Sequence, residues 1–185
     1  DGIFLTTGQT VSDFEDKLAQ YLNVKYAVGL MSGTHALELA LAYYQIGPGD
    51  EVITTPLTYT ATADAIEYVG AKPVFVDVEP QTGNINTDLI EEKINKNTKA
   101  IIPVHLYGQM VDVKEIRRIA DKYQLKIIED AAHCLAGKRD KIGPAQLGEI
   151  AAFSFYATKA ITCGEGGAIA TNDESVYSWF KKARG

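Results

Sequence analysis

Lys159 stands in Ser154-Phe155-Tyr156-Ala157-Thr158-Lys159 and is followed by Gly164-Glu165-Gly166-Gly167. A lysine amine attacks a carbonyl only when neutral, and burial or a nearby cation lowers its pKa enough to permit this. The type alone means little, since most lysines are solvated surface groups. Its setting is more telling. A short apolar run, Ala151-Ala152-Phe153-Ser154-Phe155, precedes it, and the glycines behind it suit tight backbone turns. The chemistry invited is a Schiff base between the lysine and a carbonyl compound.

Two upstream segments extend this reading. In Lys126-Ile127-Ile128-Glu129-Asp130-Ala131-Ala132-His133, residues 126–129 read as a buried strand. Asp130 then falls at its carboxyl end, the edge where open α/β sheets bind ligands. A buried aspartate there can keep a heterocyclic ring nitrogen protonated, and His133 can reach the same ring, at a phenolic oxygen. Ser32-Gly33-Thr34 lies between an expected strand over 26–30 and an expected helix over 34–46. Glycine permits close backbone approach, and the N–H groups of a helix start bind phosphate. Ser154 is a further hydroxyl for the phosphate. A carbonyl, a ring nitrogen and a phosphate together describe pyridoxal 5'-phosphate (PLP). Each residue also has a plainer reading. Asp130, Ser32 and Thr34 are good helix N-caps, His133 suits a satisfied core position, and Tyr59 suits a helix-start aromatic packed on the core.

These residues need a frame of strands and helices. Strand and helix patterns alternate, which predicts a mostly parallel sheet with helices on both faces. Ser12-Asp13-Phe14-Glu15 has the form of a capping box, with Phe14, Leu18, Tyr21 and Leu22 at helical spacing behind it. The helix over 34–46 is stopped by Gly47 and Pro48. A strand over 51–55, a helix over 59–69 and a strand over 73–78 follow, then a turn over 80–84. Leu89, Ile90 and Ile94 give a helical face, residues 99–106 a strand, and Val113, Ile116, Ile119 and Ala120 another helical face. Strands over 151–155 and 168–171 precede a terminal helix from about Asp173. No repeat, linker or low-complexity run is present, and the charge runs read as solvated helix faces.

Ser32-Gly33-Thr34, Thr54-Thr55-Pro56-Leu57-Thr58-Tyr59, Glu129-Asp130-Ala131-Ala132-His133, and Ser154-Phe155 through Lys159 to Gly167 occur in order over almost all of the 185 residues. Together they resemble the sugar aminotransferases of the DegT/DnrJ/EryC1/StrS family. The resemblance implies a fold type I PLP-dependent transferase, with residues 1–185 forming its PLP-binding large domain. It implies that Lys159 forms the Schiff base and shuttles protons, and that Asp130 pairs with the pyridine nitrogen. Tyr59 would stack on the ring, Gly33, Thr34 and Ser154 would hold the phosphate, and His133 stands where the family has glutamine or histidine. The implied reaction moves an amino group from an amino acid, glutamate first among donors, to a nucleotide-linked keto sugar. A homodimer with shared active sites is implied as well. Ala157 and Ala160 depart from the family's usual proline and asparagine. A subgroup that dehydrates sugars carries histidine in place of the lysine, so Lys159 argues against it. A non-catalytic PLP-fold protein for sensing or assembly is a further alternative, and so is a desulfurase, which would need a mobile cysteine loop. Members of the family are about twice as long, by the same resemblance. The start at Asp1-Gly2-Ile3 and the stop at Ala183-Arg184-Gly185 are therefore read as those of a fragment lacking the smaller C-terminal domain.

Composition narrows the classes. A net charge of −6 without a basic run argues against a nucleic-acid surface. No apolar stretch reaches the roughly 20 residues of a membrane helix. Cys134 and Cys163, without CxxC spacing, read as reduced thiols of a cytoplasmic protein. His105, His133 and Cys134 lack the spacing of a metal site. Ile169 stands where the third glycine of a dinucleotide fingerprint would fall. No phosphate-loop or nucleophile-elbow motif is present.

Overall fold

The computed structural model describes residues 8–184. Asp1, Gly2, Ile3 and Gly185 lie outside the described residues. The elements run α1 (Gln9–Leu22), β1 (Tyr26–Leu30), α2 (Gly33–Tyr43), β2 (Glu51–Thr54), α3 (Ala61–Tyr68), β3 (Lys72–Phe75), β4 (Thr98–Ile101), α4 (Val113–Tyr123), β5 (Lys126–Asp130), β6 (Ile150–Ser154), β7 (Gly167–Thr171) and α5 (Glu174–Ala183). The strands form a seven-stranded sheet in the order β1-β7-β6-β5-β4-β2-β3. The β2–β3, β2–β4, β4–β5 and β5–β6 pairs are parallel. β7 runs antiparallel between β1 and β6. This is the expected α/β fold with a mostly parallel sheet.

Side chains alternate across the strands, so neighbouring residues serve opposite layers. Val52, Ala100, Ile102, Ile128 and Ile150 share a core with Leu37 and Leu41 of α2, Ile66 of α3 and Phe180 of α5. Ile53, Ile101 and Ile127 face the other way, onto Ile116 and Ile119 of α4. α1 covers Ala151 and Phe153 through Leu18 and Leu22. Each fully buried isoleucine or phenylalanine contributes about 2 kcal/mol of apolar transfer. The parity also separates the charged end of β5. Asp130 shares the face of Ile128, whereas Glu129 shares that of Ile127.

Several elements differ from the sequence expectation. α1 starts a turn before Ser12, with Gly8 as its N-cap and no side-chain cap. Glu15 does not reach back to close a capping box. It is buried, accepts from the Gly29 N–H at 2.8 Å and from Lys181 Nζ at 3.0 Å, and also binds Arg184. Two cations, Lys181 of α5 and Arg184 at its C-cap, thus outcompete the helix start for its carboxylate. The face of Leu89, Ile90 and Ile94 belongs to two short 3-10 turns, Thr87–Leu89 and Glu91–Lys93, not to an α-helix. Asn86 and Asn95 bond their own local backbone at either end, which leaves room for little more. α2 stops at Tyr43 because Gln45 turns left-handed at φ 56°, before Gly47 and Pro48 are reached. β4 ends at Ile101, since Pro103 has no N–H for the ladder, and Val104 only bridges to Asp130. β3 ends at Phe75, short of Val78, where the Asp77 carboxylate accepts from the Val78 N–H at 2.8 Å. α3 begins at Ala61, two residues after Tyr59.

Candidate active site

The carboxyl ends of β1, β5 and β6 open on one cleft of about 490 Å³. Ser32, Gly33, Thr34, Tyr59, Asp130, His133, Ser154 and Lys159 all line it. The structure therefore brings together the eight residues singled out for the cofactor.

Asp130 is the last residue of β5 and is only 6% exposed. Its Oδ2 accepts from Thr62 Oγ1 at 2.7 Å and its Oδ1 accepts from the Ala132 N–H at 3.1 Å. No helix follows, so the N-cap reading fails, and the bond to Ala132 is a local turn. No cation among the described residues lies within ion-pair distance of this carboxylate. A buried carboxylate normally has a charged partner. One bound by a hydroxyl and an amide alone, at a cleft wall, suits a cationic ring N–H brought by a ligand.

Lys159 lies half-buried in the loop after β6, its main-chain N–H donating to the Tyr156 carbonyl at 2.9 Å. Its amine makes no ion pair among the described residues. It faces the same cleft as Asp130 and His133. The His133 imidazole is held below the ordinary histidine pKa, first by its partial burial and then by the Lys159 ammonium, with Asp130 opposing. It is therefore neutral near pH 7, although the residue as a whole is exposed, which rules out the core reading.

The N-terminus of α2 supplies the anion end. Ser32 is the N-cap, its Oγ accepting from the His35 N–H at 3.1 Å. That leaves its hydroxyl hydrogen and the first N–H groups, those of Gly33 and Thr34, for a ligand. Backbone crowding explains two glycines here. A Cβ on Gly33 would stand 3.0 Å from Ser154 Cβ, and one on Gly167 only 2.2 Å from the Ser32 carbonyl carbon. The glycine run behind Lys159 thus lets β7 press against the Ser32-Gly33 turn. Tyr59 is 74% exposed, so it is not a core aromatic, and its ring is open to a ligand in the cleft.

Three residues were not singled out from the sequence. Thr62, on α3, holds Asp130 and shares a 2.9 Å hydroxyl contact with Thr58. Nothing in Thr58-Tyr59-Thr60-Ala61-Thr62 distinguishes it from its neighbours except one helical turn of spacing from Tyr59. Glu129 pairs with His105 at 2.8 Å, both fully buried, and its other oxygen accepts from the Gly148 N–H at 2.7 Å. Tyr107 stacks on His133. Among the described residues no group of His, Cys, Asp or Glu could hold a metal ion.

A model of the DegT/DnrJ/EryC1/StrS aminotransferase family matches residues 1–184. The chain belongs to this family. It is 44% identical to GDP-perosamine synthase of Caulobacter vibrioides over 97% of this chain and 48% of that protein. Among solved structures it resembles S. venezuelae DesV in complex with a ketimine intermediate, with TM-score 0.94 and 38% identity over 97% of this chain and 48% of that one. NtdA of Bacillus subtilis with bound cofactor PMP gives TM-score 0.89 and 39% identity over 95% and 40%. The chain spans about half the length of the curated relatives it matches.

Proposed function

We propose that this chain is the cofactor-binding large domain of a PLP-dependent aminotransferase that moves an amino group from an amino acid, glutamate first among donors, to a nucleotide-linked keto sugar. The observation that carries this reading is Asp130, a buried carboxylate sharing a cleft with the Lys159 amine and the open start of α2, neither charged group having an ion-pair partner among the described residues. When bound, PLP supplies the carbonyl and the electron sink. Asp130 would keep the proton on the ring nitrogen, with Thr62 fixing its carboxylate. The N–H groups of Gly33 and Thr34 and the hydroxyls of Ser32 and Ser154 would hold the phosphate. Tyr59 and His133 would hold the ring, His133 as a hydrogen-bond donor. Lys159 would anchor the carbonyl and, as general acid and base, take up and hand on a proton at its amine.

A homodimer with shared sites completes the proposal. Met31, Leu57, Tyr107 and Ile161 are exposed beside cleft-lining residues, an apolar rim suited to a second copy. The free thiols of Cys134 and Cys163 fit a cytoplasmic setting, and no helix among the described residues is long and apolar enough to cross a membrane. Borohydride reduction of the intact protein with PLP, followed by peptide mass spectrometry, tests the assignment. A pyridoxyl label on Lys159 alone is expected. A folded protein that takes no label there refutes the PLP reading.

A further inference from the structure

Tyr107 adopts φ 53° and ψ 29°, in the left-handed region. That conformation costs a residue with a Cβ about 1 kcal/mol. Tyr107 is also 84% exposed, so no core packing compensates it. Strain of this kind concentrates at functional positions. Two contacts show what it achieves. The Tyr107 main-chain N–H points at His133 Nδ1, 3.4 Å away. The two rings stack, with centroids 5.8 Å apart and planes within 8°.

The turn that carries Tyr107 is held from below. The His105 N–H donates to the Asp130 carbonyl at 3.0 Å, and the Gly108 N–H to the His105 carbonyl at 3.3 Å. The His105 ring is itself pinned by Glu129 at 2.8 Å. One short segment therefore touches both Asp130 and His133. A neutral imidazole that accepts at Nδ1 must carry its hydrogen on Nε2.

We propose that Tyr107 is a positioning residue that sets the tautomer of His133. Its left-handed main chain brings an N–H to Nδ1, its ring clamps the imidazole, and Nε2–H is left as a donor for an acceptor oxygen in the cleft. The identity of that oxygen rests on the PLP reading; the tautomer does not. Lys159 and Asp130 are the charged groups facing His133, and neither offers a hydrogen to Nδ1 in the structure.

The test is proton–nitrogen NMR of the intact protein with isotope-labelled histidine, with and without PLP, using His133→Gln to assign the signal. Wild type and Tyr107→Phe should show the Nε2–H form. Tyr107→Gly keeps both the N–H and the left-handed backbone and loses only the ring, so it should retain the Nε2–H form on a less fixed imidazole. Tyr107→Val disfavours the left-handed backbone that presents the N–H and should lower the ratio of Nε2–H to Nδ1–H about threefold or more. Tyr107→Pro has no N–H and should lower it further. If neither of these two variants folds, the wild-type tautomer decides. An Nδ1–H tautomer in wild type, or a wild-type ratio in folded Tyr107→Val or Tyr107→Pro, overturns the proposal. A tautomer shift in a protein that never binds PLP would uphold the role of Tyr107 and sink the proposed function instead.

Discussion

Thr62 Oγ1 donates to Asp130 Oδ2 across 2.7 Å, joining the first turn of α3 to the end of β5 inside the protein. The hydroxyl has one hydrogen, so Thr58 must donate in its own 2.9 Å contact with Thr62. Thr62→Val leaves a buried carboxylate oxygen with one partner fewer. It should cost about 1–3 kcal/mol in urea unfolding and weaken PLP binding. Thr62→Ser should restore most of both. Unchanged stability and cofactor affinity in the valine variant would show that the bond is idle.

Asp130→Asn keeps the shape and can still accept from Thr62, but removes the charge. Rapid-mixing kinetics should show the proton-transfer half-reactions slowed about a hundredfold or more, the scale of one lost electrostatic stabiliser. Cofactor retention should suffer far less. Equal losses in the two would point to a binding role alone.

The His105–Glu129 pair lies on the opposite face of β5 from Asp130, with both side chains fully buried. Glu129→Ala strands the imidazole and the Gly148 N–H and should cost about 3–5 kcal/mol in denaturant unfolding. Glu129→Gln retains an acceptor and should cost less.

Protonation of His133 should destabilise the fold. Its pKa is lowered from 6.5 in the folded state, so below that pH the unfolded chain takes up the proton first. Its stabilising contribution is present above pH 6.5 and is lost as pH falls through the lower folded value. The gap in urea midpoint between wild type and His133→Gln should therefore shift against wild type on acidification. A gap constant with pH would remove His133 as the titrating group.

How much of this the sequence reveals depends on range. β1, α4 and β5 are written in local periodicity, and so are the start of α2 at Ser32 and the placing of Asp130 at a strand end. Lys159 stands out through its glycines. Thr62, Tyr107 and the Glu129–His105 pair do not, because each acquires meaning only from a partner far away in the chain. Glu15 shows the converse. Its local pattern is a capping box, and a distant demand from Lys181 and Arg184 overrides it. The reversed direction of β7 is likewise silent, since Gly167-Ala168-Ile169-Ala170-Thr171 has the same apolar character read either way.

β1 has β7 as its sheet partner, pairing Tyr26 with Thr171 and Leu30 with Gly167. On the ribosome, the earliest described strand must therefore wait for the latest before its hydrogen bonds close. Through that interval a nascent chain carries an unmated apolar edge, and the Ser32-Gly33 turn lacks the wall that Gly167 brings. Chaperone demand should thus persist until Thr171 has emerged, and a chain released before that point would be open to aggregation through β1.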